Sequence, residues 1–497
     1  MVKSRSRNTG EMRVCAMLRI DNQLKFSEYC NLYDRVVPKD NILRKINEHI
    51  DFSFVNPMLA KSYCENFGRP AKEPEMIFKI LFLKRMYDLS DEALVNDLGY
   101  NMAYKYFIGL APEDGTIDSS LLTKFRKLRI TEDILEEMIT ETMRQAIEKG
   151  LVKSRAILVD STHSHSKGNP ETPTQILRRM TKTLRKEIYK TQVELAEQFP
   201  EKPDITATIE DEIEYTELLV STLEGRLSNK TSQRLLERLK ELLEDDKIKS
   251  IQSEKDEEAS VGHKSIDTGF FGYKNHLAMT DERLITGIEV TTGRTADTKE
   301  MVSLVEKSKK NGIVVEEVIG DMAYSSKENI DYCNEKSIKL ISKLNPVVSN
   351  GNNRNDEFDY NKDAGTMQCP EGHLAMRCEK RTGKNGNIYH KYIFSKKKCK
   401  QCPRNGTCYT GQKEKSYSIT ILGETHEKQY EFEQSEYFKS RIKERYKIEA
   451  KNAELKQSHG LEKCKYVGLF GMKTQIYFTA FVANVKRIIK LNEMKTT

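Results

Sequence analysis

The run Ala156-Ile157-Leu158-Val159-Asp160 constrains the fold more than any other part of the sequence. Four apolar residues ending at an acid read as a buried strand that surfaces there. The segment VVEEVIGD does the same and surfaces at Asp321. Ligands gather at the C-terminal ends of strands in α/β sheets, so two such ends carrying aspartates mark a candidate site. A single Asp in that position is ordinarily a turn former, whereas a hard cation needs several carboxylates converging. GYKNHLAMT and LITGIEVTTG read as strands joined by DER into a hairpin, ADTKEMVSLVEKSKKNG as an amphipathic helix, and SIKLISKLNP as a further strand. The expected core is therefore α/β with a mixed sheet.

The rest of the chain divides by composition. After a tail over 1–40, residues 41–150 read as a helical domain, a DNA-binding one if the basic face described next is used for it. In PEMIFKILFLKRMYD, Pro74 stands at a first helical position. In SDEALVNDL, Ser90 is the cap, and Gly99 is expected to break the helix before NMAYKYFIGL starts another. Two short helices about a glycine suit a helix-turn-helix, and equally any small helical domain. SSLLTKFRKLRI brings Lys124, Arg126, Lys127 and Arg129 together as a basic face for DNA backbone. The core is expected over 151–174 and again over 258–346. Between these lies a Lys-, Arg-, Glu- and Leu-rich arm at 175–257, read as two partly coiled helices. A Cys-rich insertion at 347–415 and a helical part at 416–497 follow.

A net charge of +7, from 82 Lys+Arg and 75 Asp+Glu, is modest for 497 residues, so local basic patches matter more than the total. The basic start, MVKSRSRNTGEMRV, lacks the apolar core of a signal peptide, and no run approaches the ~20 residues of a membrane span. A soluble, cytoplasmic protein with no membrane partner is expected.

A third acid lies in RYKIEAKNAELKQSHGLEKCKYVGL. Arg445, Glu449 and Lys456 fall within about 40° of one another on a helix, giving one acid flanked by two cations. By itself such a stripe reads as a solvated face with ion pairs. With Asp160 after an apolar strand and GDMAY around Asp321, however, it resembles the signature of DDE transposases of bacterial insertion sequences. IDSSLLTKFR resembles that family's N-terminal domain, and GYKNHLAMT and TTGRTADTKEM resemble its middle strands and following helix. The resemblance runs from about 45 to 490. One departure is Ile442, where many relatives carry a tyrosine three positions before the motif arginine.

The resemblance implies a ribonuclease-H-like core with the helical arm inserted after its first strand. It implies that Asp160, Asp321 and Glu449 hold two Mg²⁺ (or Mn²⁺) ions about 4 Å apart, and that Arg445 and Lys456 position phosphate, with Lys124 and Arg126 as further DNA contacts. The implied partners are double-stranded DNA, as terminal inverted repeats and target, and a homodimer or higher assembly on it. Water attacks first at an element end, and the freed 3′-hydroxyl then attacks target DNA. Two rivals share part of this pattern: a metal-dependent nuclease without strand transfer, and a non-catalytic DNA-binding protein derived from a transposase.

Five of the ten cysteines lie between 369 and 408, which in a chain without a secretory signal favours metal over disulfides. Cys399-x2-Cys402 is the spacing of a thiolate clamp. Cys369, Cys402, Cys399 and Cys408 are the expected ligands of a structural Zn²⁺, with Cys378 left over and free thiols in a loop insertion as the alternative. Ser161 and Thr162 are expected to shape the strand exit, and His163 and His165 to be polar loop residues or DNA contacts.

Overall fold

The structure, a computed structural model, describes residues 27–29, 31–63, 71–244, 248–249, 251–253, 255–263, 268–345, 357–361, 365–382, 388–411, 413–420 and 424–496. Most of the expected 1–40 tail and the start of the Cys-rich insertion fall outside these residues.

The core is a mixed sheet. Strands β1 (Ala156–His165), β2 (Ser260–His263), β3 (Gly269–Thr280), β4 (Ile285–Thr292), β5 (Glu317–Ile319) and β6 (Lys339–Ile341) lie in the order β2-β3-β1-β5-β6, with β4 also paired to β3. β3 runs antiparallel to β1, β2 and β4, whereas β5 and β6 run parallel to β1. The hairpin β3–β4 turns at Arg283, whose φ is +68°. Two elements of this core went unread in the sequence: β2, and the helix Lys327–Glu335 that links β5 to β6.

β1 is longer than its apolar run. It stays paired with β3 from Ile157 to His165, so Ser161 and Thr162 are mid-strand and not its exit. His163 and His165 are likewise strand residues, with rings 5.4 Å apart and His163 4.8 Å from Phe270. The polar residues of this half survive as strand because side chains satisfy them. Ser164 Oγ accepts from Asn275 Nδ2 at 2.9 Å and donates to the Leu461 carbonyl.

The N-terminal helices do not form a separate globule. Ile42–His49, Pro74–Met86, Met102–Ile108 and Glu132–Glu148 share one hydrophobic core with the sheet and with the C-terminal helix Leu469–Thr496. At its centre Phe481, 1% exposed, meets Phe52, Phe78 and Phe82 with ring centroids 5.4–6.0 Å apart. Pro74 and Ser90 act as expected, the latter accepting from the Ala93 N–H at 3.0 Å. Gly99 does not break its helix, which runs over Asp91–Tyr100. The break is Asn101, which ends that helix and caps the next by accepting from the N–H groups of Ala103 and Tyr104.

Among its described residues the arm contains three α-helices, Pro173–Thr191, Ile209–Leu223 and Lys230–Glu244, around an apolar cluster of their own. The expected single second helix is divided at Gly225, whose φ of +70° is reached readily by glycine. The base of the arm is tied to the core through buried Asp256. Its carboxylate accepts from Ser166 Oγ at 2.6 Å, from the Tyr273 hydroxyl, and from the Gly468 N–H at 3.2 Å. Among the described residues, no helix is long and apolar enough to cross a membrane.

Candidate active site

Strand register brings the two aspartates together. Leu158 pairs with Ile319 across the parallel strands β1 and β5, and each aspartate lies two residues further on. Neighbouring strands run about 4.8 Å apart, so Asp160 and Asp321 come side by side where β5 ends, between the inner strands of the sheet. Gly320 lets β5 end there, since a Cβ at that position would meet the Tyr324 ring at 2.8 Å and Val159 at 3.0 Å. Asp321 then caps a short 3₁₀ turn, accepting from the Ala323 N–H at 2.9 Å.

The third acid comes from the helix Tyr446–His459. Gly460 ends it in a left-handed conformation (φ +62°), and the chain beyond it returns along β1. The His165 N–H donates to the Glu462 carbonyl and the Cys464 N–H to that of His165, both at 2.8 Å. These bonds fix the helix against the strand, and Asn452 reaches Asp160, donating to Oδ2 at 2.9 Å.

Glu449 lies one turn before Asn452 on that helix and is paired with Arg445 at 2.7 Å. Burial pushes the Asp160 carboxyl up to about 7, with the charges of Asp321 and Glu449 adding to the shift and Arg445 opposing it. Burial also raises Asp321, with Asp297 and Glu449 adding and Arg445 opposing. Asp160 thus senses the charges of both other acids, and Asp321 that of Glu449. Glu449 keeps half its side-chain surface exposed, and among the described residues no three His, Cys, Asp or Glu side chains close into a metal-holding cluster.

Three neighbours escaped the sequence reading. Asn452 lies three residues after Glu449, in helical phase with it, and that phase was the available signal. Asp297 lies in the TTGRTADTKEM segment; it accepts from Ser161 Oγ at 2.7 Å and pairs with Lys274 at 2.9 Å. Tyr324, in GDMAY, is 1% exposed, and its hydroxyl has no hydrogen-bond partner among the described residues.

The expected DNA contacts separate. Lys124 is exposed, and Lys456 is half-buried on the signature helix. Arg126 is not a free surface cation. It donates to both oxygens of Asp91, at 3.0 and 2.6 Å, beside Lys84 and over the Tyr466 ring, and so joins the N-terminal helices to the segment after the signature helix.

The Cys-rich region is a small unit with the sheet Arg377–Thr382, Ile388–Phe394 and Lys415–Thr420, and among its described residues Met367, Tyr392, Phe394, Tyr417 and Ile419 form a buried cluster. Cys369, Cys399, Cys402 and Cys408 line one cavity of about 30 Å³, with His373 beside them. Burial and the other three thiols of this set raise the Cys399 thiol. Cys378 is exposed and does not line that cavity.

Two family models match the chain: Transposase domain (DUF772) over residues 31–128, and Transposase DDE domain over residues 368–489. They indicate a transposase. More particularly, they support a DDE transposase of insertion sequences. The second stretch contains Glu449, and neither contains Asp160 or Asp321. A Rhizobium meliloti protein described as uncharacterized protein ORF8 in nfe locus is 30% identical over 92 residues, 18% of this chain. The chain spans 44% of the length of that curated relative.

Proposed function

We propose that the protein cuts DNA at the ends of an insertion sequence and joins the freed strand to target DNA. The observation that carries this reading is the register that sets Asp160 beside Asp321, with Glu449 brought in by the signature helix. The strand order and directions, with the arm following the first strand, also suit a ribonuclease-H-like core.

The donor set fits a divalent cation, because two carboxylates raised by burial and a third within charge reach are oxygen ligands short of positive charge. Asp160, Asp321 and Glu449 would hold Mg²⁺ or Mn²⁺, which when bound polarises a phosphodiester and lowers the pKa of water. Asn452 orients Asp160 through its amide. A phosphate bound at the site would compete with Glu449 for the Arg445 guanidinium and so free that carboxylate. Ser161 and Lys274 hold Asp297, which keeps its charge compensated beside the site. Double-stranded DNA is the substrate, and a dimer or larger assembly on paired ends is the proposed working form.

The test is a reaction in Mg²⁺ on DNA carrying the element's own ends, comparing wild type with Asp321→Asn. Wild type is expected to nick at the ends and join them to a second DNA, with the variant slower by on the order of 10³-fold in both steps. Cleavage without joining would establish the nuclease, and equal inertness of both proteins the non-catalytic DNA binder.

For the Cys-rich unit we propose structural zinc held by Cys369, Cys399, Cys402 and Cys408. The buried apolar cluster of the described residues is small for such a unit, and a tetrahedral ion would supply the cross-link. Purified protein is expected to carry about one zinc per chain, and Cys402→Ser to lose it and become protease-sensitive within 357–420. Zinc-free wild type with the same protease resistance would rule this out.

A further inference from the structure

The arm carries a cationic groove that neither family match includes. Helix Pro173–Thr191 buries Ile176, Leu177, Leu184 and Ile188 against its two partners. Its other side presents Arg178, Lys182, Arg185, Lys186 and Tyr189, which at 100° per residue lie within about 100° of one another. With Lys202 from the following loop, these residues wall a cavity of about 390 Å³.

Five cations thus face one acid, Glu212, and Glu212 is paired with Arg178. Two of the five are fixed in place: Arg178 also donates to the carbonyls of Asp204 and Ile205, and Arg185 donates to the Tyr215 hydroxyl at 2.6 Å while lying over Phe199. Lys182, Lys186 and Lys202 are exposed, and no ion pair to them is found among the described residues. Several other cations of the arm are paired. Arg179, Lys190, Lys240 and Lys249 each have a Glu partner at 2.5–3.9 Å.

The location matters as much as the charge. The arm leaves the sheet at the end of β1, shortly beyond Asp160, and its base is held by Asp256. Arg178 to Tyr189 spans about 16 Å of helix, enough to follow several phosphates of one strand.

We propose that this groove binds the phosphodiester backbone of duplex DNA engaged at the candidate active site, without reading bases. The inference rests on the transposase reading. Exposed lysines beside fixed arginines suit a chain of phosphates, and the groove's lining holds no fully buried cation to select one small anion.

The experiment measures binding of full-length protein to a duplex of about 40 base pairs and arbitrary sequence across a salt series. Wild type, a Lys182→Glu/Lys186→Glu/Lys202→Glu variant and the corresponding triple Gln variant are compared, with poly-glutamate as a second probe. The Glu variant is expected to bind at least roughly tenfold more weakly, and both variants to lower the log–log salt slope by roughly 2 to 3. The Gln variant keeps the question answerable if charge reversal disturbs folding. Unchanged affinity and slope in the Gln variant would overturn the groove, as would weakened binding of poly-glutamate with DNA binding intact, or no duplex binding by wild type. Cleavage of DNA carrying the element's ends by Asp321→Asn separates the two readings: the variant is expected to fail to cleave, and the salt slopes of the lysine variants are read independently of it. If it cleaves normally the active-site reading fails, whatever the groove does.

Discussion

Replacing Asp160 by Asn is expected to make the protein more stable and inactive at once. In chelator at about pH 8, the variant should exceed wild type by about 2–4 kcal/mol. The basis is a carboxyl raised from 3.8 to about 7 by burial and by Asp321, at about 1.36 kcal/mol per pH unit, discounted for relaxation. The folded state holds this proton more tightly than the unfolded chain. The cost of the charged form is therefore absent below about pH 4, grows as pH rises, and is complete above about 7. Wild type should lose stability across that window and Asp160→Asn should not. Asparagine preserves the shape and can still accept from Asn452, so packing is unchanged. Added Mg²⁺ should stabilise wild type and leave the variant unaffected, while cleavage falls by on the order of 10³-fold. Denaturant unfolding with and without Mg²⁺ checks this. A variant less stable than wild type in chelator would mean that the carboxylate is held by favourable contacts and is not a strained ligand. Stability given up at a working site is a common trade.

The largest loss of stability is expected from Phe481→Ala, about 3–5 kcal/mol. Phe481 is 1% exposed and belongs to the C-terminal helix, whereas the rings around it come from the N-terminal helices and the segment that joins them. Those neighbours are themselves packed in the shared core, so the hole cannot collapse, and edge-to-face ring contacts are lost along with apolar area. The N-terminal helices and the sheet should continue to unfold together, because they share this core. Phe481→Leu should cost less than half as much. If Phe481→Ala instead melts residues 42–148 alone, with the sheet intact, the shared core does not couple the two parts.

The sequence by itself determined what depends on local pattern. The apolar runs ending at Asp160 and Asp321 specify strands, Pro74 at a first helical position and the cap Ser90 start helices, and the spacing of Arg445, Glu449 and Lys456 sets one helical face. Local pattern misled where a residue had two uses. Gly99 stayed helical because Asn101 supplied the stronger break, and the polar half of β1 stayed strand because β3 and the Leu461 carbonyl satisfied it. Arg126 looked like a surface cation because its partner, Asp91, lies on another helix 35 residues earlier.

Only the tertiary structure decided which acids meet. The parallel register of β1 and β5 puts Asp160 beside Asp321, far apart in sequence, and the return of the chain along β1 after Gly460 brings Asn452 onto Asp160 and Glu449 within reach of its charge. The same holds for Asp297 beside Ser161, for the four thiols around one cavity, and for the joining of the N-terminal helices to the C-terminal helix. The physical reason is common to all of these. A residue's type and its neighbours in sequence fix its local conformation, but burial and charge, which set its chemistry, depend on chain segments that meet only when the core closes.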